Sequence, residues 1–242
     1  MRKILLSLFS VLICAAPAFA QMGGGGQNSG MDELFKANPV FSATMQTTIN
    51  GPQGVMNVTS KTVYDHGNSR SEMNMANVTA PNVPPGAVAQ MKAIGMDVVV
   101  TIATAAKTNI LTIYPNLKAY VATALPPSAA GTAKPDVQTT KLGDETVAGH
   151  SCVKNKTVVT EDGQPHEFTV WNATDLNNFP VQIIITEQGM SATMTYQNIS
   201  LGGVSASNFR APAGYKSYDS IPELMQAAMA SHAGSAGAPP KQ

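Results

Sequence analysis

Cysteine is nearly absent from this chain, with only Cys14 and Cys152 in 242 residues. Cys14 lies within the apolar run that opens the sequence. Loss of that run leaves Cys152 alone, which excludes an internal disulfide and leaves the core to packing. Charge is scarce as well: Asp, Glu, Lys and Arg are 12% of the residues, about half the roughly 25% of an ordinary soluble domain. Fifteen basic residues balance fifteen acidic ones and no basic block occurs, which excludes the footprint of a nucleic-acid binder. Beyond the N-terminus no apolar run is long enough for a polytopic membrane protein. Leucine is the next shortage. From residue 21 onward there are 8 Leu against 19 Val and 22 Thr, and β-branched residues fit a pleated sheet better than a helix.

What is present begins with an export signal. Arg2 and Lys3 precede the short apolar run Ile4 to Ala16, and Ala18-Phe19-Ala20 supplies small residues where a signal peptidase reads. Cleavage after Ala20 leaves a chain starting at Gln21, placed in the periplasm or outside the cell. Ile13, bulky where a lipoprotein signal wants a small residue, argues against lipidation at Cys14. The mature chain carries no transmembrane segment. Residues 21–30 (QMGGGGQNSG) form a Gly-rich leader and 233–242 a polar, Pro-containing tail. Residues 31–232 are read as one β-rich domain, with a soft connection at Pro126 to Pro135.

Within that domain the dominant period is two. Phe41, Ala43, Met45 and Ile49 alternate with Ser42, Thr44, Gln46 and Thr48, as on a strand with one wet face. Further strands are expected at Val55–Tyr64, Ser69–Val78, Val98–Ala105, Asn109–Tyr114, Val137–Leu142, Ser151–Glu161, His166–Asn172, Val181–Glu187 and Met190–Leu201. Gly51-Pro52-Gln53-Gly54, Asp65-His66-Gly67-Asn68, Asp162-Gly163 and Gln188-Gly189 supply turns between them. Helices are expected at Met31–Asn38, Pro85–Ile94 and Ile221–Ser231 only. About ten strands with so few helices imply a mainly β fold, a large curved antiparallel sheet whose inner face the helices or its own curvature must cover.

Four stretches carry a resemblance: Gly67 to Met75 (GNSRSEMNM), Lys141 to Cys152 (KLGDETVAGHSC), Thr169-Val170-Trp171 and Phe209 to Tyr215 (FRAPAGY). Together they resemble a family of exported bacterial domains that carries a domain-of-unknown-function label. That family is similar in plan to periplasmic lipoprotein carriers of the LolA/LolB type. The resemblance spans Val40 to Tyr218 and implies an incomplete β-barrel with helices lying in its open side. Its motifs are turn and strand-end residues, and they transfer no catalytic group.

Side chains suited to chemistry are few. His150 and Cys152 share a strand face, but the regular two-residue repeat holds their Cβ atoms roughly 6–7 Å apart, beyond the reach of a thiol–imidazole pair. Ser151 lacks the nucleophile elbow of a serine hydrolase. The acidic pairs Asp32-Glu33, Asp144-Glu145 and Glu161-Asp162 fall at turns or a helix start, where solvated charge explains them. No phosphate loop, dinucleotide fingerprint or zinc spacing occurs, so neither a cofactor nor a metal is expected and the chain is read as a non-enzyme.

Methionine is the one abundant oddity, with 12 in the mature chain. Met73 and Met75 lack a nearby His or Cys to complete a copper site. Flexible thioethers fill cores, and they also line adaptable apolar cavities. The sequence-level candidate is therefore a cavity formed by Met45, Met73, Met75, Met194 and Tyr196, taking a lipid or other apolar small molecule. The alternative is a structural or interaction module of the cell envelope with a packed barrel and no ligand.

Overall fold

A computed structural model describes residues 29–236, apart from 53, 82, 85, 107, 126–134, 162 and 188. The signal segment, most of the leader, the soft connection up to residue 134 and the end of the tail lie outside the described residues. Ser29 and Gly30, assigned by sequence to the leader, open the first helix, α1 (Ser29–Leu34). Residues 233–236, assigned to the tail, extend the last helix, α3 (Ile221–Ala236).

Among the described residues twelve strands form one sheet: β1 Val40–Gly51, β2 Gly54–Asp65, β3 Asn68–Asn74, β4 Val98–Ala103, β5 Asn109–Tyr114, β6 Ala119–Ala124, β7 Asp136–Val147, β8 His150–Glu161, β9 Gln164–Ala173, β10 Phe179–Glu187, β11 Met190–Leu201 and β12 Lys216–Tyr218. Their spatial order is β12-β6-β5-β4-β3-β2-β1-β11-β10-β9-β8-β7. The sheet is curved and unclosed, with β7 and β12 as its edges. Mainly β with three helices among the described residues, it matches the architecture that the alternating sequence predicts.

Neighbouring strands are antiparallel except β12, which runs parallel to β6. Short turns set much of this meander. Ala148 and Gly149 both adopt positive φ, 53° and 87°, and join β7 to β8 through the Val147–His150 pair; two such residues match the natural twist of a hairpin.

Two strands escape the sequence pattern, and one ends early. β6 and β12 carry little periodicity; β6 is fixed by its register with β5 from Asn109↔Ala124 to Tyr114↔Ala119. β3 stops at Asn74 rather than continuing to Val78. There the Asn74 side chain accepts from Ala76 N, and Met75 to Asn77 turn as a 3-10 helix.

The face of β1 that carries Phe41, Ala43, Met45, Thr47 and Ile49 is buried at all five positions, and it is called the inner face here. Two apolar clusters lie against it. The larger holds Phe35, Phe41, Met45, Tyr64, Ile183, Met194 and Tyr196; the other holds Met73, Met91, Met96, Val99, Tyr114 and Leu224. Met91 comes from α2 (Ala87–Ala93) and Leu224 from α3, so these helices cover the second cluster. Each large apolar side chain so buried contributes about 1.5–3 kcal/mol. A third cluster lies on the opposite face of β4 and β5, where Phe209 and Tyr215 pack on Val100, Ile102 and Ile113. The FRAPAGY motif is therefore a packing element of the outer face.

Candidate inner-face pocket

Register places most of the sequence-predicted residues together. Tyr196 lies opposite Met45, Met45 opposite Ser60, Ser60 opposite Met73 and Met73 opposite Val99. One row across β11, β1, β2, β3 and β4 thus joins Tyr196, Met45 and Met73, with a serine in the middle. Met194 belongs to the next row, between Ile183 and Thr47. Met75 stands apart: it leaves the sheet with the 3-10 turn and packs, half-buried, against the second cluster.

Beside the Tyr196–Met73 row runs a row of hydroxyls that sequence reading did not single out. Thr62 lies opposite Ser71, Ser71 opposite Thr101 and Thr101 opposite Thr112. The four strands therefore present one Ser or Thr each, at neighbouring positions of the inner face. Ser60 is 4% exposed, and neither its Oγ nor Thr62 Oγ1 has a hydrogen-bond partner. Such groups are rare, because each unmade bond leaves the desolvation cost uncompensated. The signal lay in the parity of β2, where Ser60 and Thr62 fall between buried Val58 and Tyr64.

A cavity of about 30 Å³ opens at one end of this row, lined by Phe35, Phe41, Thr62, Tyr64, Ser71 and Tyr196 among others. That is room for a water or two. Its cover is the segment from α1 to Phe35. The Phe35 ring sits 4.9 Å from Phe41, 5.4 Å from Tyr64, 5.7 Å from Tyr196 and 5.9 Å from Phe179, measured between centroids. Tyr64 donates its hydroxyl hydrogen to Asp32 Oδ1 at 2.9 Å. Burial first, and then the Asp32 carboxylate, hold the Tyr64 phenol well above its ordinary pKa. Burial alone does the same for Tyr196.

Elsewhere the titratable groups form ordinary surface pairs. His150 Nδ1 meets Asp175 at 2.9 Å and His166 Nδ1 meets Glu187 at 2.9 Å. Cys152, 3% exposed, donates its thiol to the His150 carbonyl at 3.3 Å. Burial pushes that thiol's pKa up, the opposite of what an activated nucleophile needs. Glu145 accepts from both Lys154 and the Trp171 indole at 2.8 Å, which holds its carboxyl below the usual range. Among the described residues no three metal-ligating side chains converge, and no helix is long and apolar enough to cross a membrane.

No family model and no curated protein matches the chain. Similar solved structures include a LolA superfamily protein from Nitrosomonas europaea, at 11% identity over 74% of this chain and 93% of that one, with a TM-score of 0.36. LprF from Mycobacterium bovis is similar at 15% identity, 76% and 95% coverage and a TM-score of 0.41. A putative outer membrane lipoprotein-sorting protein domain from Vibrio parahaemolyticus gives 10%, 77%, 96% and 0.33.

Proposed function

We propose that this chain is an exported, non-enzymatic binding protein that shelters a lipid or other apolar ligand against the inner face of its sheet. The observation that carries the reading is the pair of orphaned hydroxyls, Ser60 Oγ and Thr62 Oγ1, buried on the inner face beside a cavity. A permanently filled core gains nothing from unpartnered polar atoms, whereas a site that alternates between empty and occupied uses them when occupied. Met45, Met73, Met194 and Tyr196 form the floor of the site, and Met75 flanks it. Entry of anything larger than water requires the α1–Phe35 cover to lift, because the cavity is about 30 Å³ when closed.

That small volume favours one competing reading, a packed envelope module with no ligand. The two differ in uptake. Titration of the purified, exported protein with a neutral fluorescent hydrophobe gives saturable binding under the ligand reading, and none if the interior is permanently filled. Charging the floor by Met73→Asp abolishes the uptake if circular dichroism shows the fold intact.

A further inference from the structure

Resting on the binding reading above, we propose that the ligand is uncharged, with a carbonyl-type polar group in its middle and an apolar limb on each side. The row Thr62–Ser71–Thr101–Thr112 would receive the polar group.

Position is the first argument. Thr62 follows Ser60 and precedes Tyr64 on the inner face of β2, so the hydroxyl row adjoins the aromatic residues of the larger cluster. On its other side, the neighbouring row runs from Tyr196 and Met45 of the larger cluster through Ser60 to Met73 and Val99 of the second. The row, flanked by Ser60 and Ser69, thus lies between apolar side chains of the two clusters, with its Thr62–Ser71 end at the cavity. A ligand with a terminal head group would set that head at the rim and leave the row unmet. A ligand with a central polar group meets the row and fills both sides.

Charge is the second. From Phe41 on β1 to Thr112 on β5, every inner-face residue in register with the row and its two neighbours is uncharged. The one cation among the cavity's lining residues, Arg70, lies opposite Val63 and Ile102 on the other face and bonds Glu72 at 2.8 Å. The carboxylate there, Asp32, already accepts from Tyr64. An anion in this row would be buried without a counter-ion, and a cation would find hydroxyl oxygens only. A neutral carbonyl accepts from a Ser or Thr hydroxyl at no such cost.

Three probes of matched length separate the outcomes: decyl decanoate with a central ester, eicosanoate with a terminal anion, and eicosane with no polar group. Each is delivered to the whole exported protein from cyclodextrin, and the retained compound is extracted and quantified by gas chromatography. The expected result is retention of decyl decanoate about tenfold above both others, the size of one or two added hydrogen bonds. The near-isosteric variant Thr62→Val/Ser71→Ala/Thr101→Val, checked for fold by circular dichroism, should lower ester retention to the eicosane level without lowering the retention of eicosane. Retention of eicosanoate or eicosane equal to that of the ester overturns the proposal while the binding reading stands. Retention of none of the three overturns both.

Discussion

The Tyr64 hydroxyl reaches Asp32 Oδ1 at 2.9 Å and so ties the first helix to the second strand, directly beside the cavity. That bond fastens the segment carrying Phe35. Removing it by Tyr64→Phe should cost about 1.5–3 kcal/mol, the range for a hydrogen bond to a charged group. Urea denaturation of the two proteins measures the difference. A loss confined to a few tenths would mean that the cover is held by ring packing alone.

Tyrosine ionisation sets an alkaline limit. Burial pushes up the phenols of Tyr64, Tyr114 and Tyr196, Tyr114 to about 12. In the unfolded chain they ionise near 10, so above that pH the native state binds more protons and stability falls as pH rises. Their contribution is fully present below pH 10 and is lost progressively as pH rises above it, through about 12 for Tyr114 and beyond for the other two. Thermal melts across that interval should slope downward, and Tyr196→Phe should flatten the slope. An unaltered slope would assign the loss to other groups.

The orphaned hydroxyls predict gains rather than losses. Ser60→Ala and Thr62→Val each remove a buried unpartnered oxygen and should stabilise the ligand-free protein by about 1 kcal/mol. A destabilisation of similar size, seen in chemical denaturation, would show that both oxygens are satisfied in solution.

Alternation made β1 and β11 legible, because Met45 and Tyr196 each sit in period-two runs, the first interrupted only by Thr47. Which strands adjoin was not legible: only register brings Tyr196, more than a hundred residues further along the chain, into one row with Met45 and Met73. Met75 continues the same alternation, yet it leaves the sheet because the Asn74 side chain accepts from the Ala76 N–H and caps a 3-10 turn there, a local bond that the hydrophobic period does not record. Ser60 and Thr62 resemble a wet face by composition, since local sequence does not record what covers a strand. β6 (AYVATA) has the small residues of a loop and is a strand because β5 pairs with it.

Cys152 should prove dispensable and slow to react. It is buried on β8, and its thiol is engaged with the His150 carbonyl. Cys152→Ala should cost about 1 kcal/mol, as a small core deletion does, with uptake unchanged. Iodoacetamide should label the native thiol far more slowly than the unfolded one. Comparable rates would place the sulfur at the surface.

The central claim is that the inner face holds an apolar ligand. Native mass spectrometry of the protein, exported and isolated without detergent, tests it most directly. The account predicts a polypeptide beginning at Gln21 that carries an added mass, which organic solvent releases as a neutral, lipid-like compound. Bare polypeptide both from cells and after incubation with decyl decanoate would contradict it and leave a packed module in its place.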